Sequence, residues 1–207
     1  DDSVHLTDAF SFFREASFNS SAFVHKKVVI YGGGKLALYI ARMIKRFGSE
    51  ASVFFYGDKK LMPAYDYETD DALAEGVDVQ LLRALRRIEK KEVSFEVMKV
   101  EKGKAVGTGE FIKVPADILI NANRQEADTA FLRSVNNILL NDDGTVRIDA
   151  QRMTGHEGIF AGGDMLPGEN RSATISMGHG KKAARYINGF LSGQSYEKGE
   201  KHPTAGF

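Results

Sequence analysis

Cysteine is absent from the 207 residues of the sequence, and its absence excludes several kinds of redox chemistry. Without cysteine the chain carries no disulfide, no thiol nucleophile and no dithiol redox pair. The five histidines lack the spacing of metal ligands, and no G-x-S-x-G pattern marks a serine nucleophile. We therefore predict neither a catalytic side chain nor a metal site.

An excess of charge of one sign and long apolar runs are also absent. Lysine plus arginine and aspartate plus glutamate each number 28, so the sequence predicts no general attraction to nucleic acid or anionic lipid. No stretch of about 18 apolar residues marks a membrane span, and residues 1–5 are not typical of a signal peptide. The 43% content of hydrophobic residues predicts a globular chain. From the balanced charge and the lack of a long apolar run, we expect neither nucleic acid nor a membrane as a partner.

A glycine-rich turn follows a short apolar strand, which the sequence predicts over residues 27–31. The turn carries the pattern G-x-G-x-x-A. Gly32 allows a tight turn, Gly34 lets a pyrophosphate approach the backbone, and Ala37 permits close packing of a helix on the strand. The pattern therefore predicts the phosphate-binding turn of a dinucleotide site.

The residues after the turn complete the predicted unit. Apolar residues recur at helical period from Leu36, and Gly48 stands where a helix C-cap belongs. A second strand is predicted over residues 52–56. Strand, glycines, helix and strand in this order predict a Rossmann-like βαβ unit; the alternative is a glycine-rich turn without a ligand.

A second cofactor motif lies near the end of the chain. Residues 158–164 are typical of a buried strand that runs into two glycines and an aspartate. In a flavin site, Asp164 would accept a hydrogen bond from the ribityl chain of FAD, and Gly163 would let the backbone approach the cofactor. A following helix would direct the amides of Ala173 and Thr174 at the flavin pyrimidine. The alternative is a core strand that ends in an ordinary turn.

Longer segments extend these motifs into a family resemblance. Residues 62–68, 71–77 and 178–185 resemble the flavoproteins related to the glutamate synthase small subunit. Such proteins are built like thioredoxin reductase, with an FAD-binding domain in two sequence halves and a Rossmann-like NAD(P)-binding domain inserted between them. The resemblance implies an α/β fold, and FAD and NAD(P)H as cofactors.

The resemblance also implies a domain organisation. Such flavoproteins begin with another G-x-G-x-x-G for the FAD pyrophosphate, and none precedes residue 32, so we expect only the C-terminal half of the FAD-binding domain. Residues 1–24 would be a crossover from the missing half and 25–123 the NAD(P)-binding domain. Residues 124–191 would be the returning FAD half and 192–207 a polar tail. The parent protein is expected to be longer and cytoplasmic.

The sequence departs from the family pattern after the second strand. There the family carries Tyr-Arg-Arg, whose arginines hold the 2′-phosphate of NADPH, whereas this sequence has Tyr56, Gly57 and Asp58, followed by Lys59 and Lys60. Asp58 would accept the ribose 2′-hydroxyl of NADH, which predicts NADH binding at least equal to NADPH binding. Dominance of the two lysines would reverse that preference.

Further departures fall in the same site. Lys35 stands where the resemblance implies asparagine, Tyr39 where it implies aspartate, and Arg124 where it implies a glycine that admits the nicotinamide. Taken together, the motifs and the resemblance predict that the cofactor-binding residues are Gly32, Gly33, Gly34, Lys35, Leu36, Tyr56, Asp58, Lys59, Arg124, Gly163, Asp164, Ala173 and Thr174.

Two functional hypotheses follow from these features. In the first, the parent is an oxidoreductase that passes hydride from NAD(P)H to FAD and electrons to an iron–sulfur or other redox partner, since the chain has no cysteine. In the second, the nucleotide domain is degenerate and serves as a non-catalytic interaction module in a redox complex. Two interpretations of His179 also remain open: proton handling beside the flavin, or a packed or hydrogen-bonded helix histidine.

Overall fold

The computed structural model of the chain describes residues 3–123, 126–168 and 172–194. Two compact units, Asp1–Arg124 and Gln125–Phe207, are described separately below. The first contains the strands β1 (His5–Asp8), β2 (Lys27–Tyr31), β3 (Glu50–Phe54), β4 (Asp78–Gln80), β5 (Arg83–Ile88), β6 (Glu92–Glu101), β7 (Lys104–Pro115) and β8 (Ile118–Asn121), and the helices α1 (Ala9–Phe18), α2 (Lys35–Arg46) and α3 (Asp66–Ala74). The second contains α4 (Ala173–Ser192) and short 3-10 turns at Ala130–Ser134 and Gly163–Met165.

A five-stranded parallel sheet in the order β1-β8-β2-β3-β4 forms the centre of the first unit. Strand β2 leads through the glycine turn into α2, whose apolar stripe, from Ala37 to Ile44, is buried against the sheet. The predicted α/β fold and the βαβ unit are therefore confirmed. The second strand ends at Phe54 rather than at residue 56, so Tyr56 lies in the loop beyond it.

The first helix begins directly after β1. Asp8 is its N-cap, because its carboxylate accepts hydrogen bonds from the amides of Phe10 and Ser11 at 2.9 and 3.1 Å. Hydrogen bonds from Ser11, hydroxyl first, lower the pKa of Asp8. Because β1 pairs with β8, residues 5–8 join the same sheet as the strand that precedes the glycine turn.

The aromatic residues of α1 differ in burial. Phe12 is fully buried and Phe13 packs against the same core, whereas Phe10 and Phe18 are exposed. One face of the helix, which carries Phe12, Phe13 and Ala16, therefore packs on the sheet.

A three-stranded antiparallel sheet, β5-β6-β7, packs on the other face of the parallel sheet. The rings of Phe54 and Phe95 stack there with centroids 4.2 Å apart. Three of the six residues of strand β5 are arginines, a composition that does not by itself predict a strand. Strand β5 is stabilised by its antiparallel pairing with β6, which provides the backbone hydrogen bonds.

The second unit corrects one element of the flavin motif. Residues 158–162 form no regular strand; Phe160 makes only an isolated antiparallel bridge with Met153. The pairing stops early because Gly158 before it has φ +78° and a 3-10 turn begins at Gly163 after it. The predicted helix after the motif is confirmed as α4. No helix in the described ranges is long and apolar enough to cross a membrane.

Candidate functional site

The glycine turn lies at the carboxyl end of β2, between the ends of two neighbouring strands. The amide of Gly32 donates a hydrogen bond to the carbonyl of Phe54 at 3.0 Å. A Cβ atom on Gly32 would lie 2.6 Å from the carbonyl oxygen of Ala122, just after β8. Glycine at this position is therefore required by close approach of two backbone segments within the fold.

Gly33 is required by packing as well. A Cβ atom there would lie 2.5 Å from the ring of Phe55, which follows β3. The carbonyl of Gly33 accepts a hydrogen bond from the amide of Ala64 at 3.1 Å, so the loop before α3 is tied to the turn. The first two glycines thus shape the turn, and neither needs a ligand to explain it.

Gly34 has no such neighbour. It is the N-cap of α2 with φ −91° and ψ 169°, and a Cβ atom on it would meet none of the described residues within 4 Å. The first amides of a helix have no intrahelical acceptors, and the helix dipole makes this end favourable for an anion. The open space and unsatisfied amides fit the pyrophosphate of a dinucleotide.

Lys35 and Leu36, the next two residues predicted to contact the cofactor, have different environments. Lys35, the first residue of α2, is exposed beside the open position, so its charge is available to a phosphate. Leu36 is half-buried and packs against the core behind the turn. Leu36 therefore supports the turn mainly through its side chain.

The far end of α2 is anchored to α3 by ion pairs. Arg46 and Arg42 both reach the carboxylate of Glu75, with nitrogen–oxygen distances down to 2.7 Å. Hydrogen bonds from Arg46, then Arg42, lower the pKa of Glu75 to about 2. These contacts hold the helix whose first turn forms the candidate phosphate site.

The loop after β3 uses its charged side chains within the fold. Asp58 accepts hydrogen bonds on Oδ1 from the amides of Lys60 and Leu61, at 3.1 and 3.0 Å. Lys59 pairs through Nζ with Asp66, 3.1 Å away. The side chain predicted to meet a ribose hydroxyl thus stabilises its own turn through one of its two oxygens. Tyr56 is exposed beside this loop.

The flavin motif is assembled by contacts between the 3-10 turn and α4. Ser176 donates a hydrogen bond to Asp164 Oδ1 at 3.0 Å, and the amide of Gly163 donates one to His179 Nδ1 at 3.3 Å. Gly163 has φ +75°, a conformation that favours glycine. His179 is therefore a hydrogen-bonded helix histidine in this structure, as the second interpretation of it expected.

The beginning of α4 supplies the remaining predicted contacts. Ser172 caps the helix and accepts a hydrogen bond from the amide of Ile175 at 3.3 Å. Ala173 and Thr174 follow it in the first turn, where helical amides lack intrahelical acceptors. Asp164 is exposed in the 3-10 turn and is joined to α4 by its hydrogen bond from Ser176, so its carboxylate and the first amides of the helix are available together for a flavin.

The predicted residues therefore form two groups. The turn and loop residues share the carboxyl edge of the parallel sheet, and the flavin residues lie in the second unit. Arg124 lies outside the described residues. Arg83, to which the sequence assigned no role, also lies at the sheet edge: its amide donates to the carbonyl of Phe55 at 2.8 Å. Its only sequence signal is a charge directly after an apolar strand.

Comparisons with known proteins agree with this architecture. A model of the family described as pyridine nucleotide-disulphide oxidoreductase matches residues 4–180. The NADP(+)-dependent formate dehydrogenase subunit beta of Moorella thermoacetica is 30% identical over 181 residues, covering 80% of this chain and 25% of that protein. The NADPH-Fe(3+) oxidoreductase subunit beta of Geobacter sulfurreducens is 28% identical over 228 residues, covering 92% of this chain and 34% of that protein.

Solved structures show the same fold. The thioredoxin reductase of Lactococcus lactis matches with a TM-score of 0.71 and 21% identity, over 86% of this chain and 57% of that one. At this identity the match shows the fold alone. The chain spans 25% and 34% of the length of the two curated relatives.

Proposed function

The chain belongs to the pyridine nucleotide-disulphide oxidoreductase family, and on that premise we propose that it is part of an NAD(P)H-dependent flavoprotein. Proteins of this family use FAD and NAD(P)H. When both are bound, NAD(P)H supplies a hydride and FAD accepts it and passes electrons on. The residues of this chain would bind and orient the two cofactors.

The observation that carries this proposal is the contrast within the glycine turn. Gly32 and Gly33 are explained by packing against Ala122 and Phe55, whereas Gly34 faces open space at the start of α2. A position that keeps glycine without a packing reason, beside unsatisfied helix amides, is suited to close approach of a phosphate. The family assignment supports the same interpretation.

The electron acceptor is proposed from what the chain lacks. With no cysteine it has no disulfide of its own to reduce, so electrons would leave from FAD to an iron–sulfur or other electron-transfer subunit. Both curated relatives are named as beta subunits, which supports a multi-subunit setting. Within the family, the closer likeness to the glutamate synthase small subunit and a cytoplasmic location remain part of this proposal.

The proposed domains follow the family build. Residues 25–123 would bind NAD(P)H and 124–191 would form the returning half of the FAD-binding domain. Residues 1–24 would link to the first half of that domain, and 192–207 would be a polar tail. Separate expression of residues 1–124 and 125–207 tests the boundary between the NAD(P)H-binding part and the returning FAD half, because a stable NAD(P)H-binding unit should require only the former.

Anaerobic stopped-flow spectroscopy on the FAD-loaded full-length protein tests the proposed function. Mixing with NADPH or NADH should bleach the flavin absorbance in a reaction that saturates with nucleotide concentration. Nucleotide binding followed by no bleaching would refute hydride transfer. Absence of nucleotide binding would refute the nucleotide site itself.

A degenerate interaction module is the second candidate, and one observation favours it. Asp58 and Lys59, the charges nearest the expected ribose, are engaged by their own loop and by Asp66. A fold can persist after its ligand site is lost. In that case the intact complex would form normally while the chain bound neither NADPH nor NADH.

A further inference from the structure

Arg83 is a half-buried cation at the carboxyl edge of the parallel sheet. Its Nη1 donates to the carbonyls of Leu82 and Leu81, at 2.9 and 3.3 Å. Its Nε is buried and has no hydrogen-bond partner among the described residues. No carboxylate in the described part of the chain forms an ion pair with it. A half-buried charge in this state lacks the anion that would normally offset its desolvation.

The other arginine contact on the same strand shows that pairing was possible there. Arg86 donates to Glu96 Oε2 from Nε at 2.7 Å, across the β5–β6 pair. Its guanidinium is thus satisfied by the fold. Arg83 lies at the beginning of the strand, where its cross-strand partner on β6 is the uncharged Val97.

The backbone holds Arg83 firmly at that place. Leu82 has φ +57°, an unfavourable conformation for this residue, and its amide donates to the carbonyl of Gly57 at 3.0 Å. The carbonyl of Leu82 accepts from the amide of Met98 at 2.9 Å, and the amide of Arg83 donates to Phe55. The bend therefore fixes the backbone of Arg83 beside the chain that follows β3, and the guanidinium is held at the bend by its contacts with the carbonyls of Leu81 and Leu82.

The segment that follows β3 has a defined place in a dinucleotide site. In a βαβ unit the ribose of the adenosine half lies at the end of the second strand, here β3. A guanidinium offers several donors in one plane and binds phosphate through paired hydrogen bonds. Of the competing cations, Lys59 is paired with Asp66, and Lys60 is an exposed lysine.

We propose that Arg83 binds the 2′-phosphate of NADPH and makes this site selective for the 2′-phosphorylated dinucleotide. The inference rests on the proposed function, since it requires a dinucleotide at the glycine turn. Selectivity for NADPH is the opposite of the preference for NADH that Asp58 alone predicts. The carboxylate of that residue is held along its own turn by the amides of Lys60 and Leu61.

Calorimetric titration of the full chain with two small probes tests the assignment. Adenosine 2′,5′-bisphosphate carries the additional phosphate, and AMP lacks it. The wild-type chain should bind the bisphosphate at least about tenfold more tightly than AMP. Arg83→Gln should abolish this preference and leave the affinity for AMP unchanged, whereas the control Arg86→Gln should retain it.

Arg83→Lys provides a second measurement should the glutamine variant fail to fold. A reduced preference is expected, because an ammonium replaces the planar guanidinium by a point charge. An unchanged preference in either variant, or equal loss of both probes, would overturn the assignment.

The same titration separates this inference from the proposed function. AMP binding without any preference for the bisphosphate in the wild-type chain would overturn the role of Arg83 alone. Failure of the wild-type chain to bind either probe would overturn the nucleotide site and this inference with it.

Discussion

Substitution of Gly34 by aspartate should show whether glycine is needed at this position for binding a ligand or for folding. The backbone there, φ −91° and ψ 169°, suits any L residue, and a Cβ atom meets nothing within 4 Å. Aspartate is also a good N-cap, better than glycine by a few tenths of a kcal/mol. The free energy of unfolding of Gly34→Asp should therefore equal or slightly exceed that of the wild type.

Nucleotide binding should respond in the opposite way. The new carboxylate would occupy the space proposed for the pyrophosphate and repel it, while its own oxygens use the helix amides. We expect the affinity for NADPH to fall at least about tenfold, or about 1.4 kcal/mol. Gly34→Asn, of nearly the same shape but uncharged, should bind better than the aspartate variant.

Gly32→Ala gives the contrasting result. Its Cβ would lie 2.6 and 2.8 Å from the carbonyl oxygen and carbon of Ala122, and these backbone atoms cannot move aside without shifting β8. Overpacking of this kind costs about 1–3 kcal/mol. Urea unfolding should show that loss in this variant and none in Gly34→Asp.

Calorimetry of NADPH binding, with the unfolding curves, decides between the two requirements. Wild-type affinity in Gly34→Asp would refute a pyrophosphate at the start of α2. A large loss of stability in the same variant would refute the open geometry on which the argument rests.

Three further predictions concern other parts of the chain. In the FAD-loaded protein, Asp164→Ala should weaken FAD retention by about 1.5–3 kcal/mol through loss of a charge-assisted hydrogen bond, measured by equilibrium dialysis; unchanged retention would remove Asp164 from the flavin site. The folded pKa of Glu75, about 2 against an ordinary 4.5, means that its ion pairs stabilise the fold above the ordinary value and are lost as pH falls towards 2. Thermal unfolding across this window should therefore show a shallower decline for Glu75→Gln than for the wild type, and parallel curves would contradict it. Arg124→Gly should weaken NAD(P)H binding by removing a charged contact, and a faster flavin reduction in stopped-flow measurements would instead favour the degenerate module.

Local sequence patterns were sufficient for the parts of the fold that depend on neighbouring residues. The strand, glycine turn and α2 follow from apolar periodicity and from the conformations that glycine allows, whereas α4 was expected as the helix that follows the flavin motif. The order of these elements and the motif segments were enough to predict an α/β dinucleotide fold, which the structure and the family match confirm.

Only the tertiary structure decided the roles of individual residues in the turn and loop. Gly32 meets Ala122, and Gly33 meets Phe55, so the reasons for these glycines lie far away in the sequence. Gly34 alone is left open, a distinction that the G-x-G-x-x-A pattern does not contain. Spacing records which residues are adjacent in the chain, whereas steric need depends on which backbone segments meet in space.

The same limit applies to the charges at the sheet edge. The sequence shows Asp58 and Lys59 after the second strand and Arg83 after the next, with nothing to distinguish their availability. Folding engages the first two with local amides and with Asp66, and leaves Arg83 without a carboxylate in the described part of the chain. Charge is a property of the residue type, but its partner is chosen by the fold, because electrostatic pairing depends on distance and desolvation.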